Sequence, residues 1–338
     1  MSALAQQAGP SPLVAIRDLA VSFDGVKVLH GIDLTVNRGE AVGLVGESGC
    51  GKSVTWLAAL SLLPKKAKIT GSVTLEGREL IGATPATLDS VRGGRIAMIF
   101  QDPASALNPV VKLGKQVGEA LALHGGLSGS AIRAETKRLF DLVGIPDAVR
   151  RLDAFPHELS GGQNQRVMIA MALAGKPDIL IADEPTTALD ATIQAQILEL
   201  LTRIRRETDM ALVLISHDLG VISETCDRVC VMYAGRIIET AASEPLFAQP
   251  LHPYTQGLLA ALPPLEGVRR RLQPVEGNVP EPWNLPPGCS FAPRCPRRID
   301  ACDMRLPPLD LKAPDRRAAC IMTPPLGQPQ RQPEPVFA

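Results

Sequence analysis

The chain has 338 residues, and its 35 basic and 35 acidic side chains leave a formal net charge of zero, which argues against nucleic acid as the main partner. Hydrophobic residues make up 45% but aromatics only 3%, so a sizeable core has to be built from Ala, Val, Leu and Ile, and the length suits one large domain plus an extension. No stretch approaches the ~20 apolar residues that span a bilayer, and residues 1–13 lack the basic-then-apolar pattern of a signal peptide, so a cytoplasmic chain is expected.

Short apolar stretches over 13–36 (LVAIRDLAVSF, VKVLHGIDLTV) predict strands of a small antiparallel sheet. AVGLVG (41–46) predicts a short buried strand running into a Gly-rich turn, and SVTWLAALSLL (53–63) a helix stopped by Pro64. GSVTLEG (71–77) and RIAMIFQ (95–101) read as further strands, and 103–158 as mostly helical, for example SAIRAETKRLFDLVG ending at Gly144. From 160 to about 240 helices alternate with the strands DILIAD, ALVLIS and RVCVMYAGRIIE, which predicts a parallel sheet with crossover helices. After about 245 prolines crowd in, and 323–338 (TPPLGQPQRQPEPVFA) reads as a disordered tail.

Residues 46–53, GESGCGKS, fit G-x-x-x-x-G-K-[ST] between a predicted strand and a predicted helix. Gly46, Gly49 and Gly51 let successive backbone N–H groups, across Glu47, Ser48, Cys50 and on to Val54, face one anion. The positive helix end adds to that field. Lys52 is placed to bind the β- and γ-phosphates of ATP, and Ser53 to ligate Mg²⁺. Cys50 stands inside this loop and predicts sensitivity to thiol reagents. ILIADE (179–184) is a buried strand ending in two acids. Asp183 at its tip suits an outer Mg²⁺ ligand, and Glu184 suits the base that takes a proton from the attacking water. LSGGQ (159–163) starts a helix at the N-cap Ser160, and Gly161, Gly162 and Gln163 leave a second anion site at its positive end.

In this order, the loop at 46–53, LSGGQ, ILIADEP, ALD and a lone His after a strand resemble the nucleotide-binding domain of ABC transporters, over roughly residues 13–240. The resemblance implies an α/β fold: a RecA-like P-loop core, an antiparallel β subdomain, and a helical subdomain near 103–175 within a domain at 13–245. It implies head-to-tail pairing, so that Ser160, Gly161, Gly162 and Gln163 act on the partner's ATP. Phe23 takes the place of an aromatic that stacks on adenine, although a strand-end Phe also suits a core. Gln101 resembles a glutamine that contacts Mg²⁺ and water, Asp190 an aspartate at the dimer seam, and His217 a switch histidine that contacts the γ-phosphate and orients Glu184.

The segment 246–322 resembles the tail of oligopeptide and dipeptide importer ATPases, through LHPYTQGLLAALP and PPGCSFAPRCP. Nickel and glutathione importers share parts of it, and a soluble non-transport ABC ATPase is a more distant alternative. Its cysteines, Cys289, Cys295, Cys302 and Cys320, are spaced C-x5-C-x6-C-x17-C. That is wider than the C-x2–4-C pairs common at zinc, and four thiolates suit a [4Fe–4S] cluster; Zn²⁺ is the alternative. The partners this implies are a paralogous ABC ATPase in a heterodimer, two transmembrane permease subunits and a substrate-binding protein, at the cytoplasmic face of the inner membrane.

Overall fold

The computed structural model describes residues 11–187, 189–262 and 275–326. Two sheets organise it. The smaller is antiparallel, in the order β2 (Val26–Val36), β1 (Val14–Phe23), β4 (Ala67–Leu75), β5 (Arg78–Glu79). The larger has eight strands: β11 (Asp310–Ala313), β12 (Arg316–Ala318), β10 (Arg236–Ala242), β9 (Arg228–Tyr233), β3 (Ala41–Val45), β8 (Ala211–Ile215), β7 (Ile179–Asp183) and β6 (Ile96–Ile99).

The central strands are buried on both faces, which is why they read as continuous apolar runs. Their alternate residues enter two different cores. Leu180, Ala182, Leu212 and Leu214 pack towards the helices. Ile179, Ile181, Val213 and Ile215 pack towards Trp56 and the antiparallel sheet. This is the period of two that a pleated strand imposes. Arg38 and Arg95 join the two sheets, each pairing with both Glu76 and Asp178.

The helical region holds Leu113–His124, Ser130–Leu142 and Gly161–Leu173. Ser130–Leu142 buries Thr136, Leu139 and Phe140 on one stripe and ends where Gly144 takes φ 76. There the Gly144 N–H donates to Asp141 O at 3.0 Å and the Ile145 N–H to Phe140 O at 2.9 Å, a Schellman stop.

Several expectations change. The helix after the Gly-rich loop is shorter than 53–63: it spans Lys52–Ala59, and the Ser61 and Leu62 N–H groups fold back onto Ala58 O and Leu57 O before Pro64 is reached. RVCVMYAGRIIE is two antiparallel strands, not one, because Ala234 (φ 46) and Gly235 (φ 73) turn the chain. The large sheet is parallel only from β9 to β6. Beyond β9 it continues antiparallel through β10, β12 and β11, so strands from the extension complete the core sheet. Of the tail expected to be disordered, Thr323 is buried and its hydroxyl donates to Leu251 O at 2.9 Å; residues 327–338 lie outside the described residues. Among the described residues no helix is long and apolar enough to cross a membrane.

Candidate active site

The Gly-rich loop links β3 to the helix Lys52–Ala59. Gly46, Gly49 and Gly51 have φ of 151°, 78° and 105°. A side chain at Gly46 would meet the backbone Met232 O at 2.3 Å, so there both the conformation and the space require glycine, and at Gly49 and Gly51 the conformation does. The Lys52 ammonium is buried and donates to Gly46 O at 2.7 Å and Glu47 O at 3.1 Å. Its charge therefore lies inside the curl of the loop, while Ser48 and Gly49 at the tip are exposed. Cys50 is fully buried, and burial pushes its thiol pKa up. The expected sensitivity to thiol reagents does not follow, because a protonated, inaccessible thiol is a poor nucleophile.

β7 carries Asp183 and Glu184 to the same edge of the sheet. Asp183 is buried and hydrogen-bonded to the Ser53 side chain; burial, with Glu184 nearby, raises its pKa. Glu184 has a left-handed backbone, φ 48, rare for a residue with a side chain. Its N–H is held by Ile215 O at 2.9 Å. Three side chains converge on its carboxylate. Gln101 Nε2 donates at 2.9 Å, the Thr187 hydroxyl donates at 2.9 Å, and His217 Nδ1 stands 3.5 Å away. Strain at one residue, with two hydrogen bonds and a histidine directed at its carboxylate, is what a site that must aim a carboxylate looks like. Gln101, Glu184 and His217 are thus brought together. Thr187 was not foreseen, and no feature of the EPTT sequence distinguishes it.

Ser160 caps the helix Gly161–Leu173. Its hydroxyl accepts the Gln163 N–H at 3.3 Å, and Gln163 Oε1 accepts the Ser160 N–H at 3.1 Å. This reciprocal capping box closes the two side chains on each other. Ser160, Gly161, Gly162, Gln163 and Asp190 line one open groove. Asp190 is also a cap: it accepts the Ile193 N–H at 3.0 Å and starts the helix Ala191–Thr208. Ala188, within the ALD run, lies outside the described residues. Phe23 ends β1, half-buried against the core shared with Val28 and Val54.

The HPYT segment forms the helix Pro253–Ala260, capped by His252 Nδ1, which accepts the Tyr254 N–H at 3.0 Å. Buried Glu239 of β10 anchors it, accepting the Leu251 N–H at 2.7 Å and the His252 N–H at 2.8 Å. Cys289, Cys295, Cys302 and Cys320 all line one narrow apolar cavity with Phe291 and Ala292. Burial pushes the Cys289 thiol up and the Cys295 thiol up to about 11. Among the described residues no three His, Cys, Asp or Glu side chains converge as ligands of a single metal ion.

The geometry has close counterparts. The ABC transporter family model matches residues 29–187, and that of the oligopeptide/dipeptide transporter C-terminal region matches 238–302. The chain is 46% identical to the oligopeptide transport ATP-binding protein OppD of Salmonella typhimurium over 328 residues, covering 95% of this chain and 97% of that one. It is 46% identical to the dipeptide transport ATP-binding protein DppD of Bacillus subtilis over 314 residues, 91% of this chain and 94% of that one. Among solved structures it resembles the ATP-binding cassette MJ0796 in a dimeric, post-hydrolysis state bound to ADP and Pi, with a TM-score of 0.61 and 27% identity, over 68% of this chain and 98% of that one.

Proposed function

Because the chain belongs to the ABC transporter family, in the branch of ATP-binding subunits that end in the oligopeptide/dipeptide C-terminal region, we propose that it is the subunit that hydrolyses ATP to drive peptide import through separate membrane subunits. The observation that carries this reading is the convergence of Gln101, Thr187 and His217 on the carboxylate of Glu184, on the same sheet edge as the Lys52 loop.

In this reading Lys52 and the loop amides, apart from that of Glu47, whose N–H the Tyr254 hydroxyl takes, hold the β- and γ-phosphates. Glu184 takes a proton from the water that attacks the γ-phosphorus, and ADP leaves with the electron pair of the broken bond. Gln101 and His217 fix the carboxylate and the water. Ser53 and Asp183 would hold Mg²⁺, and the donor set fits: a buried carboxylate bonded to a hydroxyl beside a second acid is an anionic pocket that a hard divalent cation balances. That cation would neutralise developing phosphate charge. Phe23 would stack on adenine.

Ser160, Gly161, Gly162 and Gln163 would act on the nucleotide of a second, paralogous ATPase, with Asp190 at the seam. The other partners would be two permeases and a substrate-binding protein, and the site of action the cytoplasmic face of the cell membrane. Glu184→Gln should abolish turnover in the assembled transporter while ATP still binds and traps a stable dimer. Lys52→Ala should weaken binding itself. Turnover within a few-fold of wild type in Glu184→Gln contradicts the assignment.

The four cysteines would hold a [4Fe–4S] cluster in a structural role. Support comes from their lining one shared cavity, and four thiolates are the ligand set of such a cluster. Anaerobically purified protein should be brown, with about four iron and four sulfide per chain. One zinc per colourless chain would favour the alternative metal, and metal-free protein would remove the proposal.

A further inference from the structure

Two separate pieces of the extension grip the same residue of the phosphate loop. From the helix Pro253–Ala260, the Tyr254 hydroxyl accepts the Glu47 N–H at 2.9 Å. From the turn Ala292–Arg294, one guanidinium nitrogen of Arg294 donates to both carboxylate oxygens of Glu47, at 3.0 and 3.1 Å. The Arg294 side chain is only 6% exposed. Its other nitrogens donate to Glu276 O at 2.8 Å and Val275 O at 3.1 Å, so it is fixed to the extension before it reaches Glu47. Beneath it, Tyr233, Tyr254 and Phe291 form a triangle of rings with centroids 4.7 to 5.4 Å apart. The guanidinium carbon lies 5.8 Å from the Tyr233 centroid.

Glu47 occupies a sensitive place. It follows Gly46 and precedes the exposed tip at Ser48 and Gly49. A loop with glycines at three positions has many conformations, and only those that direct its amides at one point bind phosphate well. Fixing both the N–H and the carboxylate of Glu47 removes many of the others, and a preorganised site binds more tightly than one that must be ordered on binding. Coupling of this kind is reciprocal.

We propose that Tyr254 and Arg294 are positioning residues of the ATP site, so that nucleotide affinity depends on docking of the extension, and bound nucleotide tightens that docking in return. The inference rests on the reading of Gly46–Ser53 as the phosphate cradle.

The test uses the full-length chain and a fluorescent ATP analogue with Mg²⁺. Tyr254→Phe, which removes one oxygen, and Arg294→Met should each weaken binding about five- to tenfold. In the assembled transporter turnover at saturating ATP should stay within about twofold, so that KM rises and kcat does not. Because Arg294 acts through Glu47, adding Arg294→Met to a Glu47→Gln chain should cost little more affinity than Glu47→Gln alone. Hydrogen exchange in 289–302 should slow when the analogue binds wild-type protein, and slow less in Tyr254→Phe. Unchanged affinity in Tyr254→Phe and Arg294→Met, additive losses in the double variant, or exchange indifferent to nucleotide would each overturn the inference. If Arg294→Met does not fold, Tyr254→Phe decides alone. A Lys52→Ala chain that binds like wild type would show instead that the cradle reading has failed.

Discussion

At the scale of single residues, charge and burial decide what each group can do. His30 of β2 illustrates this outside the site. Burial, then the nearby charges of Arg236 and Lys27, lower its pKa to about 4. The unfolded chain takes up this proton near pH 6.5 and the folded chain does not, so the unfolded state binds more protons between these values. Stability should therefore fall as pH drops from about 6.5 towards 4. His30→Gln should shrink the difference in Tm between pH 7 and pH 5, and equal differences in the two proteins would contradict the argument. The residues proposed for the ATP site were legible as candidates for a related reason. Lys52, Asp183 and Glu184 sit in short local patterns whose spacing is itself the chemistry. Tyr254 and Arg294 were not, since they reach Glu47 across 207 and 247 residues, and no local pattern encodes such a contact.

At the scale of elements, legibility follows burial. β3, β7 and β8 are buried throughout, so their sequences are apolar runs, broken only where β7 ends in Asp183. β11 and β12, DLKA and RRA, are short and polar on an outer position of the sheet and give no periodic signal. The turn at Ala234–Gly235 was missed because its first residue is an alanine in a left-handed conformation. The link between β10 and the helix Pro253–Ala260 rests on Glu239, which is 0% exposed. Glu239→Ala would leave the Leu251 and His252 N–H groups buried without acceptors, at about 1–3 kcal/mol each. The expected outcome is a lower Tm together with faster amide exchange and proteolysis within 249–262. An unchanged melting curve would show that the segment is held by other means.

At the scale of the whole molecule, the groove of Ser160, Gly162, Gln163 and Asp190 faces outward, and the hydrogen bonds of Ser160 and Gln163 close on each other. If the groove serves the nucleotide of a second, paralogous ATPase, an isolated chain should hydrolyse ATP slowly, and specific activity should rise steeply on assembly with the permeases and that ATPase. Full activity of a monomer at nanomolar concentration would defeat the head-to-tail arrangement.

The pairing of β12 with β10 also sets an order of events during synthesis. The strands, loop and acids of the proposed ATP site are complete in the chain by about residue 235. Tyr254, Arg294 and β12 leave the ribosome later. At roughly 5–20 residues per second, the roughly eighty residues from β10 to the end of β12 take on the order of 4 to 16 seconds, during which the edge of β10 is unpaired and, until Arg294 is made, Glu47 lacks its guanidinium partner. A nascent chain is therefore exposed at one sheet edge for seconds, and a ribosome stalled before Arg316 would display that edge to folding helpers and proteases.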